Sequence, residues 1–146
     1  MLEPDFPDTE AGRVQAVCGL RILDTLPEDR FDRITRLAAN FFSVPTAAFT
    51  IVDVNRQWFK SRYGLEMSET PRRISFCGHV INMQDTLVVK DALTDARFYD
   101  NPLVTAGPKI RFYAGHPVYS ADGFAIGSLC LIDTEPRFFS QMSGVW

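Results

Sequence analysis

The sequence predicts an α+β domain, a central antiparallel β-sheet with helices on both faces. Two stretches, "TAAFTIVDVNRQWFKSRYG" and "IRFYAGHPVYSADGFAIGSLCLID", each place two β-rich runs around a turn-like break, the pattern of a hairpin. The last run is apolar on both parities, with Phe124, Ile126, Cys130 and Ile132 on one side and Ala125, Leu129 and Leu131 on the other. A strand apolar on both faces is covered on both. The N-terminal third carries helical periodicity instead, which supplies the covering layers.

Taken in order, residues 1–9 read as a flexible lead. Val14, Val17, Cys18 and Ile22 recur at three- and four-residue steps and predict a helix over 10–23. "TLPE" then has capping-box spacing between Thr25 and Glu28, with Pro27 suited to a first helical turn. The helix it opens places Phe31, Ile34, Leu37, Ala38 and Phe41 on one face and ends near Pro45. The first hairpin turns at "DVNR", "LVVKDA" at 87–92 is a short buried strand, and the second hairpin turns at "ADG". Residues 64–109 are irregular, and long irregular segments inside a compact domain are usually functional.

A chain of 146 residues suits one domain, and 46% hydrophobic with 23% charged residues is a globular balance. A net charge of −3 with scattered basic residues argues against nucleic acid as a partner. The start "MLEPDFPDTE" is not a secretory signal, and no apolar run has the length for membrane insertion. Three well-separated cysteines, Cys18, Cys77 and Cys130, fit a reduced cytoplasmic protein better than a disulfide framework.

The motifs "ILDTLPEDRFDRIT", "VDVNRQWFKS", "ETPRRISFCGHVI", "DARFYDNPLV", "IRFYAGHPV" and "GSLCLIDTEPR", in that order over about residues 18–137, resemble the GAF domain. The variant is the one found ahead of bacterial sensor histidine kinases and diguanylate cyclases. The resemblance implies a GAF/PAS-like sheet and a ligand-sized pocket between one sheet face and the irregular segment. It also implies a sensory, non-enzymatic role in signal transduction such as a two-component system, and a homodimer formed through flanking helices. A small molecule is the expected partner, its identity and any cofactor left open, with a kinase or cyclase output domain or partner chain downstream. The expected division is a lead over 1–9, a sensory domain over 10–137 and a short tail over 138–146 whose Phe138, Phe139 and Trp146 suit packing. Such domains normally run on into a long helix, so the tail reads as a truncation or a free-standing module.

The candidate pocket groups are Phe76, Cys77, His79, Asp91, Phe98, Arg111, Tyr113 and Cys130. Ser75 is a plausible N-cap for a helix to about Met83, which puts Cys77 in the first turn, near Arg72 and Arg73. His79 shares a helix face with Phe76 and Met83. Arg111 and Tyr113 share a strand face, where Arg111 either anchors an anion or pairs with Asp91, Asp95 or Asp100. Asp95 is an N-cap candidate and Phe98 a pocket wall or core ring. Trp58 and Phe59 point to opposite sheet faces, and Gly115 and Gly127 inside strands suggest close approach or a bulge. Cys77 and His79 are too few for a metal site, even with Cys130 and His116. No phosphate-loop pattern is present. Two alternatives stand beside the sensor. One is a ligand-free dimerisation scaffold. The other is a thiol enzyme similar to the free-standing GAF proteins that reduce free methionine sulfoxide; residues 78–129 hold no cysteine, so its relay requires Cys130 to fold close.

Overall fold

The structure, a computed structural model, describes residues 1–137; the tail expected over 138–146, with Phe138, Phe139 and Trp146, lies outside the described residues. Six strands form one antiparallel sheet: β1 (Thr46–Val52), β2 (Arg56–Tyr63), β3 (Glu69–Pro71), β4 (Leu87–Val89), β5 (Phe112–Tyr119) and β6 (Ala125–Asp133), in the order β3-β2-β1-β6-β5-β4. Helices α1 (Glu10–Leu20) and α2 (Asp29–Phe42) cover the outer face. The inner face is covered by α3 (Cys77–Val80), α4 (Pro102–Thr105) and the loops between them. This is the predicted α+β architecture. Both hairpins form where expected, and Trp58 and Phe59 do enter opposite cores. The irregular segment also contributes β3, a three-residue edge strand too short to show a period in the sequence.

Two bulges decide which side chains face which layer. In the β1–β2 pair, Phe49 opposes Ser61 but Thr50 opposes Phe59, leaving Lys60 as the extra residue. Lys60 and Ser61 both turn to the outer layer: Lys60 Nζ reaches Glu28 Oε2 at 2.6 Å, Leu26 O at 2.7 Å and Thr25 Oγ1 at 2.8 Å. In the β5–β6 pair, Val118 opposes Gly127 and Tyr119 opposes Ala125, so Ile126 is extra and joins the outer core rather than the face of Cys130 and Ile132. The parity read from the sequence holds only beyond this bulge. A Cβ on Gly127 would collide with the Thr50 carbonyl, the close approach its strand position suggested.

The helices depart from the sequence reading in instructive ways. α1 stops at Leu20, with Arg21 in the left-handed region closing it, and it buries Arg13 and Val17 while Cys18 is exposed. α2 begins at Asp29 without a side-chain cap; Thr25 is committed to Lys60 rather than to a capping box. It lies on the sheet through Asp32, Thr35 and Ala39: Ser61 Oγ donates to Asp32 Oδ1 at 2.6 Å and lies 2.9 Å from Thr35 Oγ1. Much of the apolar stripe read from the sequence is therefore turned out, with Ile34, Leu37 and Phe41 51%, 68% and 66% exposed. Small and hydroxyl-bearing residues bring the helix close to a strand that presents Lys60 and Ser61, groups that need polar partners once buried.

The lead also has a definite course. Leu2 N donates to Arg97 O, Asn82 Nδ2 donates to Asp5 O, and Pro4 lies against Gly78, where a Cβ would meet it at 2.7 Å. Beyond it, Glu10 stands between two buried arginines. Arg13 donates to it from Nε and Nη2 and reaches Val52 O with Nη1 at 2.6 Å. Arg72 donates to it from both terminal nitrogens, at 2.6 and 3.0 Å, and to Asp53 O. Burial alone would raise the Glu10 pKa, but these hydrogen bonds and charges outweigh it and hold the carboxyl at about 2, below its ordinary 4.5.

Removing one partner of such a cluster strands the others, so Glu10→Gln should cost on the order of 3 kcal/mol in a urea unfolding curve. The clamp's share of stability should be fully present above about pH 4.5 and fall away toward pH 2, because the folded pKa is the lower one. A Glu10→Gln variant with unchanged midpoint and acid profile would remove the clamp from the account of stability.

Candidate functional site: a hydroxyl-ringed thiol in the inner core

The inner core is organised by Ser75. Its hydroxyl donates to Arg72 O at 2.7 Å and accepts from Gly78 N at 3.0 Å; it thus caps α3 from one residue outside the N-cap position, which Phe76 occupies rather than Ser75 as expected. The helix is one turn long and does not run to Met83, although backbone turns continue as far as that residue. Cys77 thus points from the start of α3 onto the sheet. Thr50 Oγ1 donates to its Sγ at 3.0 Å, and Ser128 Oγ and Tyr113 OH lie 2.9 and 3.2 Å away. Each hydroxyl comes from a different strand: β1, β6 and β5.

Cys77 and Cys130 are both fully buried and both free. Burial pushes the Cys77 thiol up, but hydrogen bonds from Cys130, Ser128, Thr50 and Tyr113 outweigh this and bring it down to about 7. The same interaction works against its neighbour: Cys130 is raised well above the ordinary thiol range by its bond to Cys77, by burial and by the Cys77 charge. Desolvation and the two sulfurs likewise push Tyr113 up, which keeps its phenol a neutral donor.

A cavity of about 20 Å³ adjoins the two sulfurs, with Phe76, Tyr113, Gln57 and Phe59 among its walls and half-buried Leu65, Met67 and Pro108 on its lining. It lies where the resemblance placed a pocket, between the sheet and the irregular segment. The enclosed space is far below the roughly 300 Å³ at which pockets begin to hold drug-sized ligands. Gln57 donates to Thr70 Oγ1 at 2.7 Å, but its buried Oε1 has no partner among the described residues. Sequence reasoning missed Gln57, Thr50 and Ser128: polar residues in a strand read as solvent-facing, and only the register turns these three inward.

Of the eight candidate residues, Phe76, Cys77, Tyr113 and Cys130 meet at this cavity. Phe98 stands one layer back, stacked on Phe76 at 4.1 Å between ring centroids. His79 meets the edge of Phe98 and its Nε2 lies 3.2 Å from Leu2 O; burial lowers its pKa. Asp91 and Arg111 form a two-point ion pair at 2.8 and 2.9 Å near the surface, away from the cavity, the pairing alternative for Arg111. Arg111 lies just before β5 rather than within it. Asp95 accepts from Arg97 N in a turn, not at a helix N-terminus. His116 faces Thr86, away from Cys130. Among the described residues no group of three or more His, Cys, Asp or Glu is placed to hold a metal, and no helix is long and apolar enough to cross a membrane.

A six-stranded antiparallel sheet with two outer helices and a buried site under a short inner helix defines an α+β fold of the GAF type. The GAF domain model matches residues 26–143, and the chain belongs to that family. It is 43% identical over 137 residues to Cyclic di-GMP phosphodiesterase PA2567 of Pseudomonas aeruginosa, covering 94% of this chain and 23% of that protein. The GAF domain of a phosphoenolpyruvate-protein phosphotransferase from Coxiella burnetii superposes with a TM-score of 0.63 at 12% identity, over 92% of this chain and 85% of that one. Free methionine-R-sulfoxide reductase from Neisseria meningitidis, solved with its substrate, gives 0.62 at 17% identity, over 98% and 86%. At such identities the structural likeness is one of fold.

Gly115 is what lets Tyr113 lie over the site, since a Cβ there would occupy the space of the phenol ring. Gly115→Ala should displace the ring, break its contact with Cys77 and cost about 1–3 kcal/mol in thermal unfolding, the usual range for overpacking. A Gly115→Ala protein as stable as the parent would mean the ring is not held by this fit.

Proposed function

We propose that this chain is a sensory, regulatory GAF domain that reads a small molecule or chemical change at the Cys77 site and reports it through the outer helices of a homodimer. The observation that carries the reading is a continuous set of contacts from the site to the outer layer. Cys77 is set by the Ser75 cap, Ser75 is bonded to Arg72 O, and Arg72 is clamped through Glu10 to α1. A shift of α3 is thereby coupled to a helix on the opposite face, and a ligand that distinguishes two positions of α3 can act at a distance. The relative from Pseudomonas aeruginosa supports a signalling role. As this chain spans 23% of that protein, the output is a separate part: a phosphodiesterase, kinase or cyclase domain, or a partner chain. The domain itself is regulatory rather than catalytic and works in the cytoplasm.

The dimer surface is the outward stripe of α2. Leu37 and Phe41 are exposed on it, and Ile34 lines an apolar groove of about 240 Å³ together with Phe31, Phe49, Val118 and Leu129. A stripe of this kind covers itself when a second copy packs against it about a two-fold axis. The methionine sulfoxide reductase reading gains one point, because Cys130 does fold beside Cys77. A cavity of about 20 Å³ does not admit an amino-acid sulfoxide, which keeps regulation ahead.

Sedimentation equilibrium should find the protein dimeric and the Leu37→Asp, Phe41→Asp double variant monomeric with an unchanged circular dichroism spectrum. A monomeric parent, or a dimer that survives both substitutions, would overturn the α2 interface.

A further inference from the structure

We propose that Cys77 and Cys130 form a peroxide-responsive thiol pair that closes to an intramolecular disulfide inside the inner core. The proposal goes beyond the regulatory reading and stands on the site's own geometry. Three hydroxyls converge on Cys77 Sγ at 2.9–3.2 Å, an arrangement that favours a thiolate. Cys130 lines the same cavity as Cys77, so a second free thiol faces the site. The cavity's size selects the oxidant: about 15 Å³ is the least that holds one water, so about 20 Å³ suits a molecule with two heavy atoms and excludes bulky ones. Gln57 Oε1, buried on the lining and without a partner among the described residues, is an acceptor for the O–H of a hydroperoxide. Leu65, Met67 and Pro108, half-buried on the same lining, give a small uncharged oxidant an apolar way in.

The chemistry balances with hydrogen peroxide as the oxidant. The Cys77 thiolate attacks one peroxide oxygen and the O–O bond breaks. Hydroxide leaves and takes up the proton that Cys77 gave up on ionising, forming water, and Cys77 becomes a sulfenic acid. Cys130 sulfur then attacks Cys77 sulfur, the S–O bond breaks, and hydroxide departs as a second water with the Cys130 proton. Two thiols and one peroxide give one disulfide and two waters, the sulfur pair supplying both electrons. Cys18, exposed on α1, provides an internal comparison as an ordinary surface thiol.

The test uses the full chain carrying Cys18→Ser, reduced and then treated with hydrogen peroxide, with intact mass and peptide mapping as the readout. The expected result is loss of both remaining thiols, a mass lower by two hydrogens, and a peptide joining Cys77 to Cys130. With Cys130→Ser as well, oxidation should stop at a Cys77 sulfenic acid trapped by dimedone; with Cys77→Ser, Cys130 should stay reduced. The Thr50→Val, Ser128→Ala variant keeps both thiols and should react on the order of tenfold more slowly, since it removes hydrogen bonds to the thiolate. Both thiols surviving peroxide that oxidises Cys18 in the parent would overturn the proposal. So would a Cys77 that over-oxidises while Cys130 remains free, or oxidation seen only in urea. These masses are read independently of oligomeric state, so failure of the thiol pair and failure of the α2 dimer are distinguishable.

Discussion

The structure turns on one carboxylate. Glu10 sits between Arg13 and Arg72, whose side chains are 1% and 3% exposed, and its charge is what permits two guanidinium groups to be buried at the edge of the sheet. Arg13 belongs to the outer layer and also grips the end of β1 through Val52 O. Arg72 belongs to the segment that crosses to the inner layer and grips the β1–β2 turn through Asp53 O. Phe6 of the N-terminal lead lies over the Arg72 guanidinium at 4.1 Å, which closes the cluster from outside. Buried ion clusters contribute less to stability than their Coulomb attraction suggests, because desolvation offsets it. What this one supplies is position. It fixes where the chain turns under the sheet, and so where Ser75 and Cys77 arrive.

From that fixed point the inner site follows by short steps. Ser75 is bound to Arg72 O, α3 is capped by Ser75, and Cys77 is delivered to hydroxyls from three strands. The three hydroxyls keep register with each other because β1, β6 and β5 are adjacent in the sheet, with Thr50 paired to Ser128. The cysteine therefore reports on both the sheet and the crossing segment. A small cavity beside it limits what enters, while the outer helices carry the exposed apolar surface through which a change would be read.

Much of this was legible in the sequence. The hairpins were, because alternation and turn residues act locally. The Ser75 cap was as well, because a cap is set by residues three apart. The inward face of α2 was not: its apolar stripe is the stronger pattern, but bulged Lys60 and Ser61 needed Glu28, Asp32 and Thr35, and that requirement comes from another element. Parity failed at Ile126 for a similar reason, since a bulge leaves no mark on hydrophobic periodicity. The burial of Arg13 was not legible either, since Arg72, the second guanidinium on Glu10, lies far off in the sequence. Cys130, fifty-three residues after Cys77 in the sequence, reaches it only through the sheet order, which no local signal encodes. Arg111 was left open between an anion and a pair with Asp91, Asp95 or Asp100, and the structure pairs it with Asp91.

The central claim is that one clamp holds the outer helix and the cysteine site together. Amide hydrogen exchange on the Glu10→Gln protein tests it most directly. Faster exchange in α1 together with residues 72–80, and little change in β4 and β5, is the predicted result. Faster exchange confined to α1, with residues 72–80 as protected as in the parent, would contradict it and leave the two layers uncoupled.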